Sequence, residues 1–449
     1  MPPDGQQPLL EGWYVRAVGR PDGVAVRAAS ALARLGARAT QEHGHEELLE
    51  LGGCGHAHVA ITGWEGEHAA RRRCGVTAIE RRAGDLAARG PRGMVVAQYL
   101  GAVVAAAALR RAVAPRFQVS AGSGGGGALD GAVLARGLVE GIDPAATVPA
   151  ATLRCADGWL VTRWRHPSER HLLAAVLAAE GLDAYGPDGL DLRGCGVEAA
   201  WAAARACRLL AAPVRHPGGR WQPAPVDAVY RAQPADPRPL GRGRLRVVDW
   251  TPLWAGPWAT GRLADEGHLV TRIEPPARRD GLLRTAHGRA CWHRWNGAKS
   301  LALLDAREPE GRRAVGELVA GSDVLVSGMT PRVLPQLGLD DDWFGRNAPC
   351  LLRVELVGFK EPNQDLPAVG EQAAAIAGLL SPERPEQPPF PPLPWPDPLL
   401  GANCLVAIRA WEAAGRPPGM RIRLSLEGAA RSALAAPGAA TGRAAARAG

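Results

Sequence analysis

Between residues 245 and 360, short apolar runs alternate with stretches of helical period. The runs are LRVVDW, LVTRIEPP, SLALLD, DVLVSG and LLRVELVGF; the helical stretches pass through ATGRLADEG, EGRRAVGELVAG and one further short segment. Strands alternating with helices at this spacing predict a parallel α/β sheet, Rossmann-like and doubly wound, because parallel strands need crossover helices that cover both faces. At 367–380 the sequence PAVGEQAAAIAGLL predicts a helix, since an unbroken run of good helix formers leads from Gly370 to Gly378. Its first turn carries Glu371, whose charge suits the positive end of the helix dipole.

Three stretches break the pattern. SAGSGGGGALDG (120–131) reads as a Gly-rich loop, the segment from 215 to 244 as a Pro- and Arg-rich linker, and LSPERPEQPPFPPLPWPDP (380–398) as a Pro-dense excursion. They set off residues 1–140, a linker at 226–243, a large α/β domain at 244–435 and a frayed tail at 436–449. The chain also repeats itself. VAITGWEG (59–66) matches VELVGFKE (354–361), CGVTAIERRAGDL (74–86) matches AVGEQAAAIAGLL (368–380), and YLGAVVAAAAL (99–109) matches LLGANCLVAI (399–408), with ALDGAVL (128–134) against SLEGAARSAL (425–434). The register held between these pairs predicts a degenerate tandem copy, in which residues 1–140 are a truncated large domain that has lost much of its early α/β portion.

Composition narrows the function classes. The chain carries 53 Lys plus Arg against 45 Asp plus Glu, a formal charge of +8, which raises anionic partners. Nearly all of that charge is Arg, with Lys only at 299 and 360, and Ala, Gly and Pro are inflated alongside it. A GC-rich coding bias accounts for this, and no aromatic–basic module is present, so no nucleic acid is expected. The eight cysteines lie far apart without a CxxC pair and read as free thiols of a reducing cytosol. The polar, Pro-rich opening MPPDGQQPLLEG does not read as a signal peptide, and the most apolar stretch, at 94–109, is shorter than the roughly 20 residues of a membrane span. The expectation is a cytoplasmic protein with no membrane contact. His43, His45, Cys54, His56, His58, His68 and Cys74 crowd one segment, yet show neither zinc-finger spacing nor HExxH. No metal is expected, and the role of this cluster stays open.

One ordered set of motifs is specific. A strand is followed by AGP (255–257), LAD-x-G (263–267), a strand ending in EPP (274–276) and N-x-x-K (296–299). This set resembles the class III CoA-transferase family, which includes formyl-CoA:oxalate CoA-transferase, L-carnitine CoA-transferase and α-methylacyl-CoA racemase. TLRCADGWLVTRWRHPSERHLLAAVL (152–177) resembles the ADGW strand and helix of the family's smaller α+β domain, and ARACRLLAAPVRHP (204–217) its later helix, which places that domain at 145–225. The resemblance implies acyl-CoA and carboxylate substrates, with coenzyme A as a substrate moiety and no metal. The family's interlocked dimers imply a homodimer, or a pseudo-dimer within one fused chain.

In the family's transferases an Asp at a helix start attacks the thioester and forms a mixed anhydride. A carboxylate suits this because it is a nucleophile that leaves readily, and helix N–H groups stabilise the developing charge. Counting back from Ala377-Gly378-Leu379, that position falls on Gly370. Three readings stand open: Glu371 as an ordinary helix-entry residue, Glu371 as the displaced nucleophile, or proton transfer by Asp365 or Asp397. Asp397 matches an Asp that precedes the family's LxxG helix, and is otherwise a helix cap. The resemblance further assigns Asn296 and Lys299 to the CoA, and Arg332 to its nucleotide end, displaced by two residues within Met329-Thr330-Pro331-Arg332. Arg272, with Arg278 and Arg279, flanks EPP as a phosphate partner or as surface charge. Function is left between CoA transfer, racemase-like α-proton exchange and a non-catalytic paralogue that binds a ligand or a subunit.

Overall fold

The computed structural model describes residues 10, 14–19, 24–35, 37–43, 48–52, 59–62, 102, 150–186, 189–215, 227–231, 243–381, 387, 389 and 394–434. Strands β1 (Tyr14–Gly19), β2 (Arg38–His43), β3 (Leu48–Gly52) and β4 (Val59–Thr62), with helix α1 (Val24–Arg34), form a four-stranded sheet ordered β2-β1-β3-β4. The first two strands are parallel and joined by α1, whose Val26, Ala29 and Leu32 face the core; β3 and β4 run antiparallel. Residues 14–43 thus form a strand–helix–strand unit, where the sequence reading expects little early α/β structure. The unit is hidden because β2 reads RATQEH, which has no apolar alternation to mark a strand. The matched segments at 74–86, 99–109 and 128–134, the Gly-rich loop and the tail lie outside the described residues. So does the His/Cys cluster, apart from the backbone of His43.

A second sheet follows. Strands β5 (Ala151–Arg154), β6 (Trp159–Arg163) and β7 (Leu210–Pro213) pair antiparallel in that order, and carry α2 (Ser168–Ala179) and α3 (Val197–Ala206). The ADG turn between β5 and β6 is closed by the Cys155 N–H donating to the Gly158 carbonyl at 2.9 Å. Helix α3 stops at Ala206, and Arg208 adopts a left-handed backbone (φ 53°), so LAAP becomes an edge strand and not the end of a helix.

The large sheet has seven strands. They are β8 (Ala228–Arg231), β9 (Arg246–Trp250), β10 (Leu269–Glu274), β11 (Ser300–Leu303), β12 (Val324–Ser327), β13 (Leu352–Val357) and β14 (Met420–Ser425), in the order β11-β10-β9-β12-β13-β14-β8. Six are parallel to their neighbours, and only β8 runs antiparallel, against β14. Strand β8 lies inside the segment expected to be linker at 226–243. Its four residues AVYR are too short a period to read between prolines and arginines, and the sheet holds it through Tyr230, over which the Arg421 guanidinium sits 4.4 Å from the ring centroid. The helices are α4 (Ala255–Asp265), α5 (Ala286–Asn296), α6 (Pro309–Ala320), α7 (Val333–Gln336), α8 (Asp341–Asn347), α9 (Gly370–Ala377), α10 (Pro396–Ala413) and α11 (Leu426–Leu434).

The central strands explain themselves. Val247, Val248, Val324, Leu325 and Val326 are buried on both faces, as near-continuous apolar runs of a parallel sheet require. Helix α10 is buried along its whole length, with Trp411 fully enclosed, and packs on α4, α9 and α11. Helix α4 is in turn pinned between α10 and α5. A Cβ at Gly401 would stand 2.8 Å from the Ala255 carbonyl oxygen, and one at Gly261 only 2.5 Å from that of Trp295. Neither carbonyl belongs to a flexible group, so the expected cost of Gly261→Ala is about 1–3 kcal/mol of stability, read from the urea midpoint. An unchanged midpoint would show that α4 and α5 are not in this contact.

Candidate active site

Asp249 ends β9 as the one carboxylate in the run RVVDW and is fully buried. The Lys299 ammonium donates to its Oδ2 at 2.8 Å, and also to the Pro257 carbonyl, Thr260 Oγ1 and Asn296 Oδ1, each at 2.8 Å. Arg272, buried on β10, donates through Nη1 to Asp249 (3.3 Å) and to the Thr251 carbonyl (2.9 Å), through Nη2 to Asp280 (2.7 Å) and through Nε to Glu274 (2.7 Å). Trp292 Nε1 and Arg279 complete Glu274. Burial alone would push the Asp249 carboxyl up, but Lys299 and Arg272 overcome it and pull it down to about 2. Asp280 also accepts the Leu253 N–H at 2.9 Å, so the network ties the loop after β10 to the loop that enters α4.

This placement corrects the expectation for Arg272 and buries the side chain of Lys299. Arg272 is neither surface charge nor a reachable phosphate partner, because its donors are spent on three buried carboxylates and a carbonyl. Lys299 is not solvated: its side chain is 1 % exposed, and Asn296, whose amide nitrogen donates to the Trp292 carbonyl at 2.9 Å, helps to enclose it. Three of the four residues assigned to the CoA therefore come together as the frame under the AGP turn. The fourth, Arg332, lies exposed at the N-cap of α7. Arg278 is exposed too, and Arg279 is anchored to Glu274.

The second cluster sits where α9 begins. Val369 is extended, its N–H donates to Gln372 Oε1 at 3.3 Å, and the helix ends at Gly378 with the left-handed φ of 93° that glycine allows. Gly370 has no room for a side chain. A Cβ there would collide with Asp397 Oδ2 and stand 2.7 Å from Pro394 Cα. Asp397, in the first turn of α10, thus puts its carboxyl against the position from which a residue-370 side chain would project. Glu371 is buried beside it and is ion-paired with Arg163, which reaches over from β6. Asp365 stays on the loop before α9, where its main-chain carbonyl accepts from Arg208.

Burial, with the nearby Glu371 charge, pushes the Asp397 carboxyl up to about 8, against the opposing pull of Arg163 and the Gly370 N–H. Burial also raises Glu371, again opposed by Arg163. Arg163 and Asp249 are site residues that sequence reasoning missed. Asp249 had a signal, a lone carboxylate closing an apolar strand; Arg163 had none, because its partner lies 208 residues away.

Two outcomes follow from these environments. Asp397 binds its proton more tightly folded than unfolded, so its contribution to stability is fully present below about pH 4 and is lost as pH rises to about 8. Asp397→Asn should flatten that decline in denaturation measured across the window; an unchanged slope would place the titrating group elsewhere. Lys299→Ala leaves Asp249 without its ammonium, and about 3–5 kcal/mol of stability should be lost in chemical denaturation.

Residues 244–446 match the family model described as CoA-transferase family III. Among curated proteins the chain is 31% identical over 142 residues to succinyl-CoA–L-malate CoA-transferase beta subunit of Chloroflexus aurantiacus, which covers 30% of this chain and 35% of that one. It is 28% identical over 139 residues to human alpha-methylacyl-CoA racemase, covering 30% and 34%. A solved CAIB/BAIF family protein from Brucella suis is 24% identical, covering 44% of this chain and 56% of that one with a TM-score of 0.38. The curated matches therefore span little more than a third of those relatives' length, and the family-model match covers Asp249, Lys299, Glu371 and Asp397. Residues 244–446 are thus a CoA-transferase family III region.

Proposed function

We propose that this protein acts on acyl-CoA thioesters, transferring CoA between an acyl-CoA and a carboxylate, and that Asp397 supplies the carboxylate that Gly370 lacks. One observation carries the reading: the Asp397 oxygen that abuts Gly370 lies where a side chain of that residue would have to be. In this reaction Asp397 Oδ2 attacks the thioester carbonyl, a C–O bond forms, the C–S bond breaks and CoA leaves as the thiolate. Attack requires the ionised carboxylate. The Gly370 N–H and the start of α9 then stabilise the charge that develops. Glu371 does not serve as the nucleophile in this scheme, because its carboxylate is committed to Arg163.

A specific observation favours a second reading. A carboxyl that keeps its proton up to about pH 8 suits general acid–base work near neutrality, and one similar protein is named a racemase, so α-proton exchange on an acyl-CoA is the alternative. A non-catalytic role is the third. We also read the N-terminal sheet as a reduced copy of the large one. The order β2-β1-β3-β4 supports this by following β10-β9-β12-β13, with VAIT of β4 and VELV of β13 each two strands from, and parallel to, the first strand of its unit.

The test uses succinyl-CoA. Intact-protein mass spectrometry with hydroxylamine trapping should find an acyl adduct on the wild type, none on Asp397→Asn and a retained adduct on Glu371→Gln. Adduct formation should rise with pH to a plateau above about 8. An adduct that maps to Glu371 would sink the assignment to Asp397. No adduct, but deuterium wash-in at the α-carbon of a 2-methylacyl-CoA with a bell-shaped pH profile, would establish proton exchange instead. Absence of both, with no CoA binding by calorimetry at millimolar concentration, would leave the non-catalytic role.

A further inference from the structure

The contact between Arg163 and Glu371 joins two sheets. Arg163 is the last residue of β6 in the three-stranded unit, whereas Glu371 and Asp397 open α9 and α10 on the large one. Strands β6 and β7 pack directly against α9, and the Arg215 N–H donates to the Ala375 carbonyl at 3.0 Å along the same seam. Buried at this seam, Arg163 Nε, Glu371 Oε2 and Asp397 Oδ2 have no hydrogen-bond partner among the described residues. Buried polar atoms are nearly always paired, so such a cluster marks a place where charge or a proton is handled.

The charges do not balance. Two carboxyls face one guanidinium. Strand β7, Leu210–Pro213, brings no titratable group. On α11, Glu427 is paired with Arg431, and on α10 the remaining charges, Arg409 and Glu412, are paired with each other. Two anions with one cation in a dry seam cost more than one anion with one cation, so the cluster keeps a single proton. Geometry decides which group holds it, because Arg163 Nη2 is on Glu371 Oε1 and makes no hydrogen bond to Asp397.

We propose that Arg163 is a positioning residue that divides the work between the two carboxyls, holding Glu371 as the anion and leaving Asp397 as the group that carries the exchangeable proton. This rests on the reading of the α9 entry as the reaction site. It adds that the small sheet completes that site. Removal of the guanidinium leaves Glu371 as an unpaired buried anion, which takes up a proton of its own.

The test reads protons directly, by infrared difference spectroscopy on protein labelled with ¹³C in its Asp and Glu carboxyls. At neutral pH the wild type should show one protonated-carboxyl band that disappears in Asp397→Asn. Arg163→Gln should gain a second band, which disappears in Arg163→Gln/Glu371→Gln, and Arg163→Lys should keep the wild-type spectrum. A wild-type band that survives Asp397→Asn, or an Arg163→Gln spectrum with no second band, would overturn the proposal. Should Arg163→Gln not fold, Glu371→Gln alone decides. Loss of the neighbouring charge should lower the Asp397 midpoint from about 8 by about one pH unit or more, and an unmoved midpoint would refute the pairing. These spectra need no turnover, so a failed acyl-CoA reaction counts against the proposed function alone. If acyl adducts do form, their pH profile should shift with Glu371→Gln by the same amount as the infrared midpoint.

Discussion

A carboxylate at the carboxyl end of a central parallel strand has no water to solvate it, and the strand stays buried only if something else neutralises the charge. Asp249 is such a carboxylate, and Lys299 and Arg272 neutralise it from two directions. Much of the site's frame depends on this exchange of charge. Lys299 also collects the Pro257 carbonyl and Thr260, which fixes the first two turns of α4; Arg272 collects Glu274 and Asp280, which fixes the loop beyond β10. Buried ion networks are weak sources of net stability but strong sources of geometry, because any partner displaced leaves a charge uncompensated. The AGP turn is held by that penalty more than by attraction.

Asp249 and Asp397 show one side chain in two opposite conditions. Both are buried. Two cations pull Asp249 down to about 2, while burial and the neighbouring Glu371 carboxyl, with Arg163 bonded to Glu371 instead, leave Asp397 at about 8. The first is therefore a permanent anion that organises structure, and the second is a group whose charge can change at physiological pH. Sorting the carboxylates of this chain by the number of cations they face separates framework from chemistry better than burial does.

The sequence was most legible where one strand or helix carried its own signal. The strands from LRVVDW to LLRVELVGF, the helices between them, and the helix from Gly370 to the Gly378 cap all stand where periodicity and capping residues put them. Glu371 and Asp397 were picked out by position along the chain, and they do meet in space. What escaped was set by partners distant in sequence. Arg163 is one residue in a short alternating strand until β6 docks on α9, and Lys299 and Arg272 look like ordinary charges until Asp249 is placed between them. Strand β8 escaped because four residues between Pro- and Arg-rich neighbours carry too little pattern.

That last strand separates two kinds of boundary. The region similar to CoA-transferase family III begins at residue 244, but the sheet's outermost strand is drawn from 228–231, upstream of it and across the Pro- and Arg-rich segment. A chain cut at the limit of similarity would leave β14, from Met420 to Ser425, with a row of unpaired backbone donors and acceptors, the condition under which sheet edges recruit one another. The unit that is inherited and the unit that closes its own hydrogen bonds are therefore different lengths of the same chain, and the longer one sets where this domain ends as a physical object.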